Sequence, residues 1–148
     1  MKEKHLYRTL LWAVSVLGVL CFIFGNSLTP ASESAEESRG VFSVLLSVFP
    51  FITHHIVRKL AHVAEYALLG VHLSFAPMLF HRRASVPLVL LFGVFVALAD
   101  EGIQSFVPGR GASFSDVAID SFGYFAALFL MLFFFFLVSQ KRRRGAHV

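Results

Sequence analysis

The residues of this chain that could do chemistry fall in three short stretches. RKLAHVAEY supplies Arg58, Lys59, His62, Glu65 and Tyr66, DEGIQSFVPGR supplies Asp100, Glu101, Gln104 and Arg110, and DVAID supplies Asp116 and Asp120. Carboxylates in such numbers offer the oxygen ligands that a hard divalent cation takes, with Mg²⁺ the first expectation and Asp100, Asp116 and Asp120 its candidate ligands. Guanidinium and ammonium groups match phosphate oxygens, which makes Arg58, Lys59 and Arg110 candidates for holding an anion. Glu65, Tyr66 and Gln104 complete the candidate ligand-binding set. An imidazole titrates near neutral pH, so His62 is the candidate general acid or base, beside Glu101 and Asp116 as the other catalytic candidates. Two histidines among several carboxylates would also suit Zn²⁺ or Mn²⁺.

Spacing groups these residues. Arg58, His62, Glu65 and Tyr66 follow i, i+4, i+7 and i+8 and share one helical face. His72 lies on that face, about 10 Å further along. Asp100 and Glu101 share a face with Gln104, and Asp116, Asp120, Gly123 and Tyr124 form a third. Three cations, Arg58, Lys59 and Arg110, would then meet five carboxylates, Glu65, Asp100, Glu101, Asp116 and Asp120. A divalent cation, protonated histidines or protonated carboxylates would close the gap. The alternative is that these groups pair only with one another and tie helices together.

The elements that must position them are membrane helices. The chain of 148 residues is 57% hydrophobic with 18 Phe, and its apolar residues run in blocks of spanning length. The expected fold is an all-α membrane protein of one domain, residues 1–148, with four transmembrane helices at about 6–24, 60–80, 86–104 and 117–138. Lys2, Lys4, Arg8, Arg82, Arg83 and the Lys141–Arg144 cluster fall on one side of those spans, and only Arg39, Arg58, Lys59 and Arg110 on the other. The positive-inside rule places both termini in the cytoplasm, in a multi-pass membrane protein. So placed, the net charge of +4 reads as topology, and nucleic acid is not an expected partner. The first block is expected as a span; its alternative is a signal peptide. A lone Cys21 excludes a disulfide framework and a cysteine-rich metal site. Between the first two spans, Ser34 and Glu37 have capping-box spacing. Val41, Val44, Leu45, Val48 and Phe49 then recur on one face until Pro50, which predicts an amphipathic interfacial helix or a lid over the bundle mouth. The Phe133–Phe136 run is expected to face lipid.

Polar stripes on three helices at one depth can be satisfied only against each other, because a charge facing lipid would cost ~2.5–3.5 kcal/mol. They are expected to converge on an outward-facing polar pocket, with Pro108 and Gly109 breaking the backbone so that Arg110 sits at its mouth.

FGNS, RKLAHVAEY, DEGIQSFVPGR and DVAIDSFG, in that order over residues 24–125, resemble the VanZ-like family. Its pattern falls on Arg58, Lys59, His62, Tyr66, Asp100, Glu101, Gln104, Pro108, Gly109, Arg110, Asp116, Asp120 and Gly123; many relatives carry Asn where this chain has Asp120. The resemblance implies a bacterial membrane protein linked to reduced susceptibility to teicoplanin-type glycopeptides, a phenotype rather than a reaction. Two classes of function follow. The first is an enzyme acting on a lipid-linked phosphate or glycan; the D-x-x-x-D of Asp116 and Asp120 is similar to part of the motif of CDP-alcohol phosphotransferases, whose remainder is missing here. The second is a non-enzymatic protein that binds a cell-wall precursor, a lipid head group or the lipoglycopeptide. Membrane lipids are partners in either case. A transporter of four spans without an internal repeat would need to oligomerise, and the sequence leaves the oligomeric state open.

Overall fold

A computed structural model of the chain describes residues 2–80 and 85–145, and every regular element among them is a helix. The first, α1 (Lys2–Leu28), runs 27 residues, about 40 Å at 1.5 Å per residue. It ends two residues before Pro30, which disfavours helical backbone at the residue preceding it. Two short helices follow, α2 (Ala31–Glu37) and α3 (Arg39–Val48). Pro30 occupies the N-cap of α2, and Ser34 lies inside that helix, its N–H donating to the Pro30 carbonyl at 3.0 Å. The capping box expected at Ser34 is therefore not formed; the proline starts the helix earlier. No residue of α3 is buried, so Val41, Val44 and Val48 present an apolar stripe away from the protein. Among the described residues Phe42 ties it to the bundle by stacking on His54, ring centroids 3.6 Å apart.

The next helix, α4 (His54–Leu73), starts at Thr53, whose hydroxyl oxygen accepts the Ile56 N–H at 3.3 Å. It stops at a turn before α5 (Ala76–Phe80). The span expected as one helix over 60–80 is thus shifted toward the N-terminus and broken at 74–75. Pro77 is the physical cause, because its ring would clash with the Leu73 carbonyl in a continuous helix. The Ser74 hydroxyl also bonds the Val71 carbonyl at 2.6 Å. The bundle is completed by α6 (Ser85–Gln104) and α7 (Phe114–Gly145). Arg82 and Arg83 lie outside the described residues.

Each long helix runs antiparallel to the one before it. Near one end His5 bonds the Leu79 carbonyl and Phe75 meets Phe135 edge-on. Near the other, Asn26 and Ser27 of α1 reach Glu65 of α4 and Asp100 of α6. The basic residues at the start of α1 and the end of α7 therefore share one end of the bundle, opposite the polar stripes. The closest helix pair is α4 with α7, whose backbones touch at glycines. A Cβ added to Gly123 would lie 2.6 Å from the Val63 carbonyl oxygen, and one added to Gly70 would run into the Tyr124 carbonyl.

Burial is inverted relative to a water-soluble domain. Leu10, Leu17, Leu91, Phe95, Phe122, Phe129 and Phe133 are exposed, while Ser27, Asp100, Glu101, Gln104 and Asp120 are buried. That arrangement suits hydrocarbon outside and polar groups satisfied within. Among the described residues three stretches are long and apolar enough to cross a membrane: Glu3–Leu28, Pro87–Gln104 and Phe114–Lys141. At 20 residues α4 has the length, but it carries Arg58, Lys59 and Glu65 and is not among the three. The chain is a multi-pass membrane protein.

Candidate functional site

The polar stripe of α4 meets the C-terminal end of α6 and the N-terminal end of α7. His62 is the hinge of the arrangement. Its Nδ1 lies 3.6 Å from Asp120 Oδ1 of α7 and 3.9 Å from Asp100 Oδ2 of α6. Both distances exceed a hydrogen bond. Asp100 is fully buried and held from behind, with the Ser27 hydroxyl donating to Oδ1 and the Gln104 amide to Oδ2 at 3.0 Å. Asp120 is also fully buried, and neither of its oxygens has a hydrogen-bond partner.

One turn closer to the end of the bundle, Lys59 Nζ meets Asp116 Oδ1 at 2.8 Å. Asp116 was an expected metal ligand beside Asp100 and Asp120. It instead faces Lys59, and His62 takes the place beside the two deeper aspartates. Asp116 and Asp120 are four residues apart, about 6 Å along the axis, which separates them by one level. Glu101 is buried, with Oε2 accepting the Ser113 N–H at 2.7 Å. That bond ties the 105–113 loop to α6 just before α7 begins. Glu65 Oε1 accepts the Asn26 amide at 2.8 Å. The Tyr66 hydroxyl sits near Asp100 without a hydrogen bond of normal geometry.

Arg110 leaves the loop where Gly109 adopts φ 75°, a left-handed conformation that glycine takes without a Cβ penalty. The same turn packs on α2, where the Ala31 N–H donates to the Pro108 carbonyl at 3.3 Å. The expected pairing of Arg110 with Glu101 or Asp116 is not made; Glu101 Oε2 accepts from Ser113 and Asp116 Oδ1 from Lys59. Among the described residues neither Arg58 nor Arg110 has a carboxylate within ion-pair distance. Burial first, and then Arg58, draw the Arg110 pKa below its ordinary value.

Two adjoining cavities open between these groups and α2. One, of about 290 Å³, is lined by Ser34, Ser38, His55, Lys59, Asp116 and Asp120. The other, of about 240 Å³, is lined by Asn26, Thr29, Glu65, Arg110 and others. Arg58, His62, Ser34 and Ser38 border both, so α2 and the start of α3 roof a single polar region. Eight buried polar atoms in this neighbourhood lack a partner, on His62, Glu65, Tyr66, Glu101, Gln104, Arg110 and Asp120.

Ten of the residues picked out by type and spacing therefore gather here: Arg58, Lys59, His62, Glu65, Tyr66, Asp100, Glu101, Gln104, Asp116 and Asp120, with Arg110 added from the loop. His72 and Tyr124 do not join them. The His72 ring bonds the Leu68 carbonyl at 2.8 Å near the far end of α4. Tyr124 crosses to α6, its hydroxyl bonding the Val89 carbonyl and its ring filling the space left by Gly93. Asn26, Ser27 and Ser113 supply bonds to the site that residue type alone did not reveal. The available signal was FGNS, two polar residues closing an otherwise apolar span.

No curated protein and no solved structure matches the chain. A family model described as VanZ/LLP1 matches residues 12–139, a range that includes every residue of the polar region. The chain belongs to the VanZ/LLP1 family.

Proposed function

We propose that the polar region is an outward-facing pocket that takes the phosphate-bearing head group of a cell-envelope lipid and acts on it. The observation that carries the reading is the pair Arg58 and Arg110. Two guanidinium groups border one cavity without a carboxylate partner. Like charges left together favour an anion between them, and the guanidinium fork fits phosphate oxygens. Lys59 lies at the neighbouring cavity. The family's link to teicoplanin resistance supports a ligand of the cell envelope. The bias of Lys and Arg toward the opposite end of the bundle supports an outward pocket and cytoplasmic termini. In this reading α4 is the fourth membrane-embedded helix, its charges turned inward, and α3 lies in the outer interface with its apolar stripe in lipid. His62 would move the proton, and a divalent cation would offset the surplus of carboxylates.

Recognition without turnover is the second reading, favoured by one observation. Glu101 and Asp116, the other catalytic candidates, each already have one carboxylate oxygen engaged, by Ser113 and Lys59. The test uses purified protein in nanodiscs with polyprenyl-phosphate and polyprenyl-diphosphate lipids and added Mg²⁺ or Mn²⁺. Product formation that is lost in Arg58→Ala supports the enzyme. Saturable lipid binding without product supports recognition alone. Neither binding nor product with any phosphate-bearing lipid would overturn the proposal.

A further inference from the structure

Among the described residues, one group of three metal-ligating side chains converges: His62, Asp100 and Asp120, whose ligand atoms all lie within 4.8 Å of one another. The three come from three different helices. We propose that His62 Nδ1, Asp100 Oδ2 and Asp120 Oδ1 form a site for one divalent transition-metal ion of the Mn²⁺ or Zn²⁺ type. The proposal deepens the pocket reading above and rests on it for the role of the ion.

Four observations carry it. First, the two His62–aspartate separations, 3.6 and 3.9 Å, are too long for hydrogen bonds and too short for an intervening water. Ligand atoms bonded to one ion at about 2.0–2.1 Å lie about 3.0–3.4 Å apart. The two His62–aspartate separations therefore need to contract by only about half an ångström, with the aspartate oxygens already within 4.8 Å of each other. Second, Asp120 is fully buried with both oxygens unpartnered, and His62 Nδ1 is likewise buried and unpartnered. A buried, unpaired carboxylate is costly, and no lysine or arginine of the described residues reaches Asp120 within ion-pair distance. Third, Asp100 is already oriented by Ser27 and Gln104. Hydrogen bonds from behind are how ligating carboxylates are fixed and tuned. Fourth, the cavity at His62 and Asp120 leaves room for water or ligand oxygens to complete the coordination.

The donor set decides the class of ion. One imidazole nitrogen with two carboxylate oxygens suits borderline ions, whereas Mg²⁺ prefers oxygen alone and keeps several waters. The sequence-level expectation of Mg²⁺ on Asp100, Asp116 and Asp120 is replaced, in this proposal, by a nitrogen-containing set from which Asp116 is excluded. In this proposal His62 serves as a ligand in place of the proton-transfer role given to it above, and the ion, when bound, would supply Lewis-acid chemistry at the pocket floor.

The test measures metal alone. Purified protein, stripped with chelator and held in detergent without added lipid, is titrated with Mn²⁺ (by electron paramagnetic resonance), with Zn²⁺ and with Mg²⁺, and its thermal unfolding is followed in parallel. The expected result is one Mn²⁺ per chain, displaced by Zn²⁺ but not by a hundredfold excess of Mg²⁺. Saturating metal should raise the melting temperature. Asp120→Asn should weaken Mn²⁺ binding at least tenfold and abolish the metal-dependent rise. The same variant should melt no lower than the parent without metal, since it replaces an unpartnered buried carboxyl by an amide of the same size; this separates site loss from misfolding. Tyr124→Phe, on the same helix as Asp120 but bonded to the Val89 carbonyl away from the pocket, should keep the stoichiometry. Sub-stoichiometric binding, equal displacement by Mg²⁺, or an unchanged affinity in Asp120→Asn would overturn the proposal. Because no lipid is present, such a failure is distinct from a failure of head-group binding at Arg58 and Arg110.

Discussion

Replacing Gly123 by Ala should loosen the site from behind. Gly123 lies between Asp120 and Tyr124 on the face of α7 that touches α4, and an added Cβ would stand 2.6 Å from the Val63 carbonyl oxygen. Carbon and oxygen do not come closer than about 3.3 Å even in a favourable C–H···O contact, so the helices must part by about 0.7 Å there. The obstructing atom is backbone and cannot rotate away. Overpacking of this kind costs about 1–3 kcal/mol. Val63 follows His62 directly, so the same displacement widens the 3.6 Å His62–Asp120 separation, opposite to the contraction a shared ion requires. The matched control is Gly18→Ala, the same chemical change in α1 with nothing within 4 Å of the new methyl. It should be neutral or slightly stabilising, because alanine is favoured over glycine in a helix by about 0.5–1 kcal/mol. Thermal unfolding in detergent and Mn²⁺ affinity check both variants. The reasoning predicts a lower melting temperature and weaker Mn²⁺ binding for Gly123→Ala only. Equal behaviour of the two variants would show that α4 and α7 are not in backbone contact, and the geometry derived from that contact would fall with it.

Where the family's teicoplanin phenotype is the readout, Arg110→Lys and Arg110→Ala should both lose it, at unchanged protein level and membrane insertion, because a point charge does not replace a fork at a bidentate site. A fully active Arg110→Lys would reduce Arg110 to a surface charge. Tyr124→Phe should lower stability by about 0.5–1.5 kcal/mol through loss of the bond to the Val89 carbonyl, read from thermal unfolding. Its head-group and metal binding should be unchanged, since Tyr124 stands apart from the pocket. Arg82→Gln with Arg83→Gln should leave the phenotype intact where insertion is normal, as befits charges that act on topology; loss of phenotype with normal insertion and abundance would assign them a further role.

How much of this was legible in the sequence depends on which physical quantity each feature reports. Block hydrophobicity reports what must sit in lipid, and it located three spanning helices. It failed on the second block, because hydropathy does not register that Pro77 cannot follow Leu73 in one helix. Periodicity reports which residues share a face, and it gathered Arg58, His62, Glu65 and Tyr66 correctly. It has no access to the depth at which two helices cross, so it set Tyr124 and His72 with residues they do not touch. It also grouped Asp116 with Asp120, although one turn of helix is enough to put Lys59 against the first and His62 against the second.

The contribution of α1 was hidden for a different reason. Asn26 and Ser27 are uncharged and lie at the end of an apolar span, where small polar residues usually mark only the interface. Their role depends on what faces them. Asn26 donates to Glu65, and Ser27 donates to Asp100, so the first helix holds two carboxylates that belong to two others. That dependence explains why a small bundle keeps so many buried and half-buried acids. Each is held by a donor from another helix or loop, Asn26 for Glu65, Ser27 for Asp100, Ser113 for Glu101 and Lys59 for Asp116. Asp120 is the exception, fully buried and unsupplied. If interhelical ties were the sole purpose of these acids, Asp120 would be the first to be dispensable, since it ties to nothing. Its position beside His62, at the floor of the cavity bordered by Arg58 and Lys59, is instead where a ligand-bearing group has to stand. A group that the protein does not satisfy by itself is the one most open to being satisfied by an ion.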